Sequence, residues 1–126
     1  MPLTNAGVTH IAKALIAESA TAFDNANAHL GVGDSSAVFA KTQTDLQAAT
    51  NKLRKAMEAA YPQRSGDDLV FRSLFDTAEA NFAWEEWGVF NAAAAGTMLT
   101  RKVESLGTKT SAQQWQLTAT ITVSNP

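Results

Sequence analysis

The chain has 126 residues, enough for one domain with a sizeable hydrophobic core. Its residues are 45% hydrophobic and 17% charged, a globular composition with little charge for a protein that meets only water. A net charge of −2 with no run of Lys or Arg speaks against nucleic acid as a partner, and the lack of cysteine excludes disulfides, thiolate zinc sites and thiol catalysis.

The N-terminal run MPLTNAGVTHIAKALIAES has no basic stretch leading into a long apolar run and a cleavage site, so no signal peptide is expected. No apolar run approaches the roughly 18–20 residues of a membrane span, so no membrane role is expected either. The expectation is a chain made in the cytoplasm and kept soluble unless an assembly carries it elsewhere.

Val8, Ile11, Ala12, Leu15 and Ile16 recur with helical period and predict a helix over 4–18 with an apolar stripe. Thr4 or Asn5 is its natural N-cap. His10 and Lys13 lie off the stripe and should be solvated or at an interface. Residues 23–27 read as a loop and 28–32 as a short strand. Gly31 and Gly33 around Val32 suggest a turn or bulge with positive φ. A phosphate cradle would also use glycines, but this run lacks the Lys-Ser/Thr that follows them in a P-loop. Residues 35–50, rich in Ser, Thr, Ala and Gln, predict a surface excursion with a short helical turn.

The run 51–61 fits a helix through Leu53, Met57, Ala60 and Tyr61, and fits a strand as well. The loop at 62–67 and the alternating strand after it favour a hairpin of 51–61 with 69–76. Phe82 to Val103 reads as a second hairpin whose first strand carries Trp84, Trp87, Val89 and Phe90. In the last strand, Trp115, Leu117, Ala119, Ile121 and Val123 take one face and Gln116, Thr118, Thr120, Thr122 and Ser124 the other. The predicted architecture is α+β: an N-terminal helix followed by a mostly antiparallel, β-sandwich-like sheet of about six strands. It forms a single domain over 1–126, β-rich over 28–124.

Four runs carry a resemblance: Leu3-Thr4-Asn5-Ala6-Gly7, Gly31-Val32-Gly33-Asp34, Glu86-Trp87-Gly88-Val89-Phe90, and Gly96-Thr97-Met98-Leu99-Thr100-Arg101. In this order they resemble small structural proteins of tailed-bacteriophage virions. More distantly, they are similar to the N-terminal attachment domains of phage tail-collar fibre proteins. Trp87 stands where those domains carry an aliphatic residue. The resemblance implies a non-enzymatic virion component on the capsid, neck or tail, a decoration or fibre-attachment-like module. Its partners would be other phage virion proteins, and the first expectation for its own state is a homo-oligomer, a trimer. It would be made in the host cytoplasm and located in the virion.

Candidate chemistry is sparse. Glu85 and Glu86 are adjacent and on a regular strand face opposite ways, whereas a glycosidase needs two carboxylates about 5–9.5 Å apart across one cleft. Glu86 is better read as an ion-pair partner of Arg54, Arg72 or Arg101. His10 and His29 lack a second ligand at metal spacing, and no serine sits in a Gly-x-Ser-x-Gly elbow. No catalytic residue, cofactor or metal is therefore expected. Trp84 and Trp87 are an odd number apart, so one should point outward unless a bulge intervenes. An outward tryptophan would anchor a protein interface or, in the alternative reading, the glycan of a carbohydrate-binding β-sandwich module for host adhesion, in which Trp84, Trp87, Trp115, Tyr61 and Phe90 could stack on sugar rings. The candidate interface or packing residues are Trp84, Glu86, Trp87, Phe90 and Arg101.

Overall fold

In the computed structural model, which describes residues 2–124, the chain enters one helix, α1 (Asn5–Leu15). Seven strands follow: β1 (His29–Gly33), β2 (Lys52–Ala56), β3 (Gln63–Ser65), β4 (Asp68–Phe75), β5 (Ala83–Phe90), β6 (Met98–Thr108) and β7 (Trp115–Thr122). Met1, Asn125 and Pro126 of the expected domain lie outside the described residues. The strands form two antiparallel sheets, one ordered β2-β1-β5-β6 and the other β3-β4-β7. The fold is thus α+β, as the sequence pattern predicts.

The core lies between the sheets. Leu30, Val32, Trp84, Trp87 and Val89 meet Phe71, Phe75, Leu117 and Ala119 there, all buried. In β7, Leu117 and Ala119 turn inward and Gln116, Thr118, Thr120 and Thr122 outward, as alternation requires. Val123, expected on the inner face, lies past the end of β7 and is exposed.

Three expectations are corrected. Gly31 and Gly33 make no turn; they lie within β1, paired on both sides by β2 and β5. Their small size serves close approach: a Cβ on Gly31 would sit 2.7 Å from the Phe90 ring, and one on Gly33 would collide with the Glu86 carboxylate. The strand at 52–56 exists, but β2 pairs with β1 instead of forming a hairpin with β4. The hairpin next to β4 is the short β3–β4 pair, turned by Gly66 at φ +59°. Residues 34–51 contain no helical turn. They form a strap across the outer face of the four-stranded sheet, where Leu46 packs with Phe90 and Met98 and Ala48 is buried.

The largest departure concerns α1. Its cap is as expected: Thr4 Oγ1 accepts from the Gly7 N–H, and the same hydroxyl donates to the Met98 carbonyl. The helix ends in a Schellman turn, with Ala17 at φ 55° and the Glu18 and Ala17 N–H groups donating to the Lys13 and Ala14 carbonyls. Gly7 is the only buried residue of the helix, and its apolar stripe does not cover the core. Val8, Ile11, Leu15 and Ile16 are 54, 42, 81 and 76% exposed. The stripe fails to bury because the helix touches the sheet through its first turns alone, and every residue from Ile11 to Ser19 faces solvent.

That docking depends on Gly7, where a Cβ would lie 2.5 Å from the Leu99 carbonyl oxygen, a backbone atom that cannot swing aside. Gly7→Ala is expected to lift α1 from β6 at an overpacking cost of about 1–3 kcal/mol. Hydrogen exchange should show the loss at Thr4, whose N–H donates to Leu99, and at Val8, whose N–H donates to Thr4. Unchanged protection at both amides would refute this docking mode.

Candidate functional site

The four runs Leu3–Gly7, Gly31–Asp34, Glu86–Phe90 and Gly96–Arg101 converge on one region around β1, β5 and β6. Leu3 bridges to Thr100, and Gly7 rests on Leu99. The Asp34 N–H donates to the Asn51 carbonyl, and Asp34 Oδ2 accepts from Asn51 Nδ2, which closes the base of the strap. Gly88 lies under the Thr100 carbonyl, where a Cβ would approach to 2.9 Å. Each motif glycine outside the turn at Gly96 thus marks a place where a bulky or backbone group comes close.

At the centre is a fully buried ion pair. Arg101 Nε donates to Glu86 Oε1 at 2.7 Å, and both side chains are inaccessible to solvent. The Glu86 carboxylate also accepts from the Gln47 and Ala48 N–H groups, both at 2.8 Å. Arg101 Nη1 donates to the Ala37 carbonyl and to Gln43 Oε1. One carboxylate and one guanidinium therefore tie both arms of the strap to the sheet. Every oxygen of Glu86 is engaged by the chain itself, so this is a clasp, without a free edge to offer a substrate.

Arg54 is a second staple, considered from sequence only as a partner for Glu86. Its guanidinium lies 3.7 Å from the centre of the Phe90 ring, and Nη1 donates to the Ala92 and Ala95 carbonyls. Nη2 reaches Asp45 on the strap at 3.1 Å. Burial pushes the Asp45 carboxyl up, but the Arg54, Leu46 N–H and Lys52 donors outweigh it and hold the group below its ordinary 3.8.

Glu79 behaves alike for a simpler reason. Hydrogen bonds from Lys55 Nζ at 2.8 Å and from the Asp76 N–H lower its carboxyl from the ordinary 4.5. A carboxyl lowered by folding stabilises the folded state above its unfolded value and loses that contribution as pH falls through the folded one. Melting temperatures of native chain and Glu79→Gln should therefore converge as pH falls from 7 to 3, with most of the change below 4.5. A constant gap across that range would remove the Lys55–Glu79 pair as a source of stability.

Both tryptophans point inward. Trp84 and Trp87 are 2 and 7% exposed, and the odd spacing is absorbed where Glu104, Ser105 and Leu106 of β6 stand opposite Glu85. Trp84 packs edge-on against Phe75 and Trp115, and its indole N–H donates to the Ala80 carbonyl. Phe90 is buried beneath Gly31, Leu46 and Arg54. The five candidates Trp84, Glu86, Trp87, Phe90 and Arg101 are thus placed in packing positions, and none of them presents a surface.

The exposed surface with a distinct character lies elsewhere. Beside α1 opens an apolar groove of about 700 Å³. Ile11 and Leu15 of α1 line it together with Leu69, Phe71, Leu99, Ile121 and Val123 of the strands and their ends, and His10, Gln63 and Arg64 add polar groups. Periodicity located this stripe but not its exposure, because a stripe packed on its own sheet and one left open read alike. His10 sits at the same edge with its ring against Phe23 at 4.9 Å, and His29 Nδ1 lies 2.8 Å from the Asn27 carbonyl. Among the described residues no group of three or more His, Asp or Glu side chains could hold a metal, and no helix is long and apolar enough to cross a membrane. Comparison with protein-family models, curated proteins and solved structures finds no match to this chain.

Proposed function

We propose that this chain is a non-enzymatic structural component of a tailed-bacteriophage virion, mounted on the capsid, neck or tail by contact with other virion proteins. The observation that carries the reading is α1: a helix that leaves its apolar stripe in water beside an apolar groove is built to be covered. The sequence resemblance supplies the setting, and low surface charge is consistent with it. The polar groups of the motif region bind the strap and the sheet to each other, which supports a rigid mounting module. The alternative, a carbohydrate-binding module, drew on aromatics free to stack on sugar rings; Trp84, Trp87 and Phe90 are buried, while the half-buried Trp115 and Tyr61 are engaged by Trp84 and Arg72.

Mass spectrometry of purified particles tests the proposal. The chain is expected in fixed stoichiometry, hundreds of copies for a capsid decoration and on the order of ten for a neck or tail fitting. Its absence from complete particles would overturn the reading. So would a hydrolase rate on host envelope polymers carried by the purified chain.

A further inference from the structure

We infer that the occupant of the exposed stripe and of the groove beside it is α1 of a second copy of this chain. The inference rests on the assembly reading above and names the partner at that surface.

The spacing is the first argument. Val8, Ile11 and Leu15 stand three and then four residues apart, the seam by which one helix packs along another. Nothing in the chain's own fold uses that seam beyond the first turns, since Gly7 alone is buried and the segment from Ile11 onward is in solvent. An isolated helix of this length is marginal in water. Packing by another helix would supply what the cap at Thr4 and the exposed Lys13–Glu18 pair do not.

Charge is the second argument, and it favours self-pairing. At 100° per residue, Lys13 falls almost opposite the seam, while Ala12 and Ala14 flank it and Gly7 is taken up by the chain's own β6. The helix has no acidic residue and its one lysine lies away from the seam, so a neutral apolar helix meets no unmatched charge there, whereas a basic helix would leave its cations unpaired. Two copies of α1 therefore approach through small, uncharged flanks with both lysines pointing away.

Area is the third. The exposed parts of Val8, Ile11, Leu15, Ile16 and Val123 amount to about 500 Å², against about 800 Å² per partner in a standard specific interface. The groove supplies the remainder, because a helix laid along Ile11 and Leu15 also meets Leu69 and Ile121 in the same groove. Ridge and groove belong to one patch, so the contact closes as a dimer about a two-fold axis or as a ring of three.

The test uses the full chain, whose lack of cysteine makes a single thiol readable. Leu15→Cys is compared with Val38→Cys; the two positions are 81 and 85% exposed, so random collision affects them alike. Under mild oxidation Leu15→Cys is expected to form the disulfide-linked pair at least about tenfold faster, through the raised local concentration of an assembled contact. Sedimentation velocity at tens of micromolar should give a dimer or trimer for the native chain and a monomer for Leu15→Glu, with the far-UV strand signal retained.

A native monomer at that concentration, together with equal crosslinking of the two thiols, overturns the inference. If such a chain is nonetheless found in particles, the virion reading stands and another protein covers α1. If the chain self-associates but is absent from particles, the virion reading fails and the self-contact stands.

Discussion

Arg101→Met is expected to destabilise the chain by about 3–5 kcal/mol, because it leaves the buried Glu86 carboxylate without its cation. In a chain of this size that corresponds to a fall of roughly 10–20 °C in melting temperature. The loss should not be spread evenly. Arg101 holds the Ala37 carbonyl and Gln43, and Glu86 holds the Gln47 and Ala48 N–H groups, so the strap loosens first. Lys41 lies between these anchors, and trypsin should cut there in the variant well before the sheets open.

Glu86→Leu should be as costly alone, and the double variant should cost less than the sum of the two. It should not return to native stability, since the strap amides then lack an acceptor. The buried and unpartnered Nη2 of Arg101 limits what the native pair contributes, which makes recovery in the double variant larger. A single variant melting within about 1 kcal/mol of native would mean that the clasp does not hold the strap.

The β-strands were legible because their signal is local. Strict alternation in β7 marks its inner face by period alone, whereas the aromatic run in β5 marks a strand but not its faces. The pairing of β2 was not legible, since a strand's partner is a long-range matter and the run 62–67, read as a hairpin turn, holds β3 and its own turn. Gly31 and Gly33 misled for a related reason: glycine serves both left-handed turns and close approach, and only the Phe90 ring and Glu86 carboxylate decide between them. Trp84 and Trp87 required an irregularity between β5 and β6, whose mark in the sequence is Gly107, at φ +102° beside the register shift. The Glu86–Arg101 pair was within reach of charge arithmetic, but its role on the strap was not, because the strap contributes backbone amides that every sequence has. The exposure of α1 is the clearest case: its stripe is plain in sequence, whereas whether the stripe faces its own sheet depends on how far the helix overhangs.

Substitutions along β7 separate stability from assembly. Ala119→Asp is expected to cost several kcal/mol, comparable with the entire margin of a small domain, and to leave much of the chain unfolded at room temperature. Ala119 is 1% exposed and stands in register with Phe71, so the carboxylate would enter the core between the sheets with no cation to meet it. Thr120→Asp, one residue on, faces solvent opposite Val70 and should change stability by about 0.5 kcal/mol or less.

Ile121→Asp lies between these. Ile121 is half-buried at the lip of the groove, where a carboxylate can turn partly to water, so the monomer should melt lower than native but well above Ala119→Asp. Its larger effect is expected in assembly, because Ile121 lines the groove in which a second α1 would lie. Chemical denaturation should thus rank the three as Ala119, Ile121, Thr120 in order of cost. Sedimentation of the folded variants should separate Ile121→Asp from Thr120→Asp, the first monomeric and the second assembled like native. Equal stability of Ala119→Asp and Thr120→Asp would invert the assigned faces of β7. A stable and fully assembled Ile121→Asp would instead leave β7 intact and remove the groove from the interface.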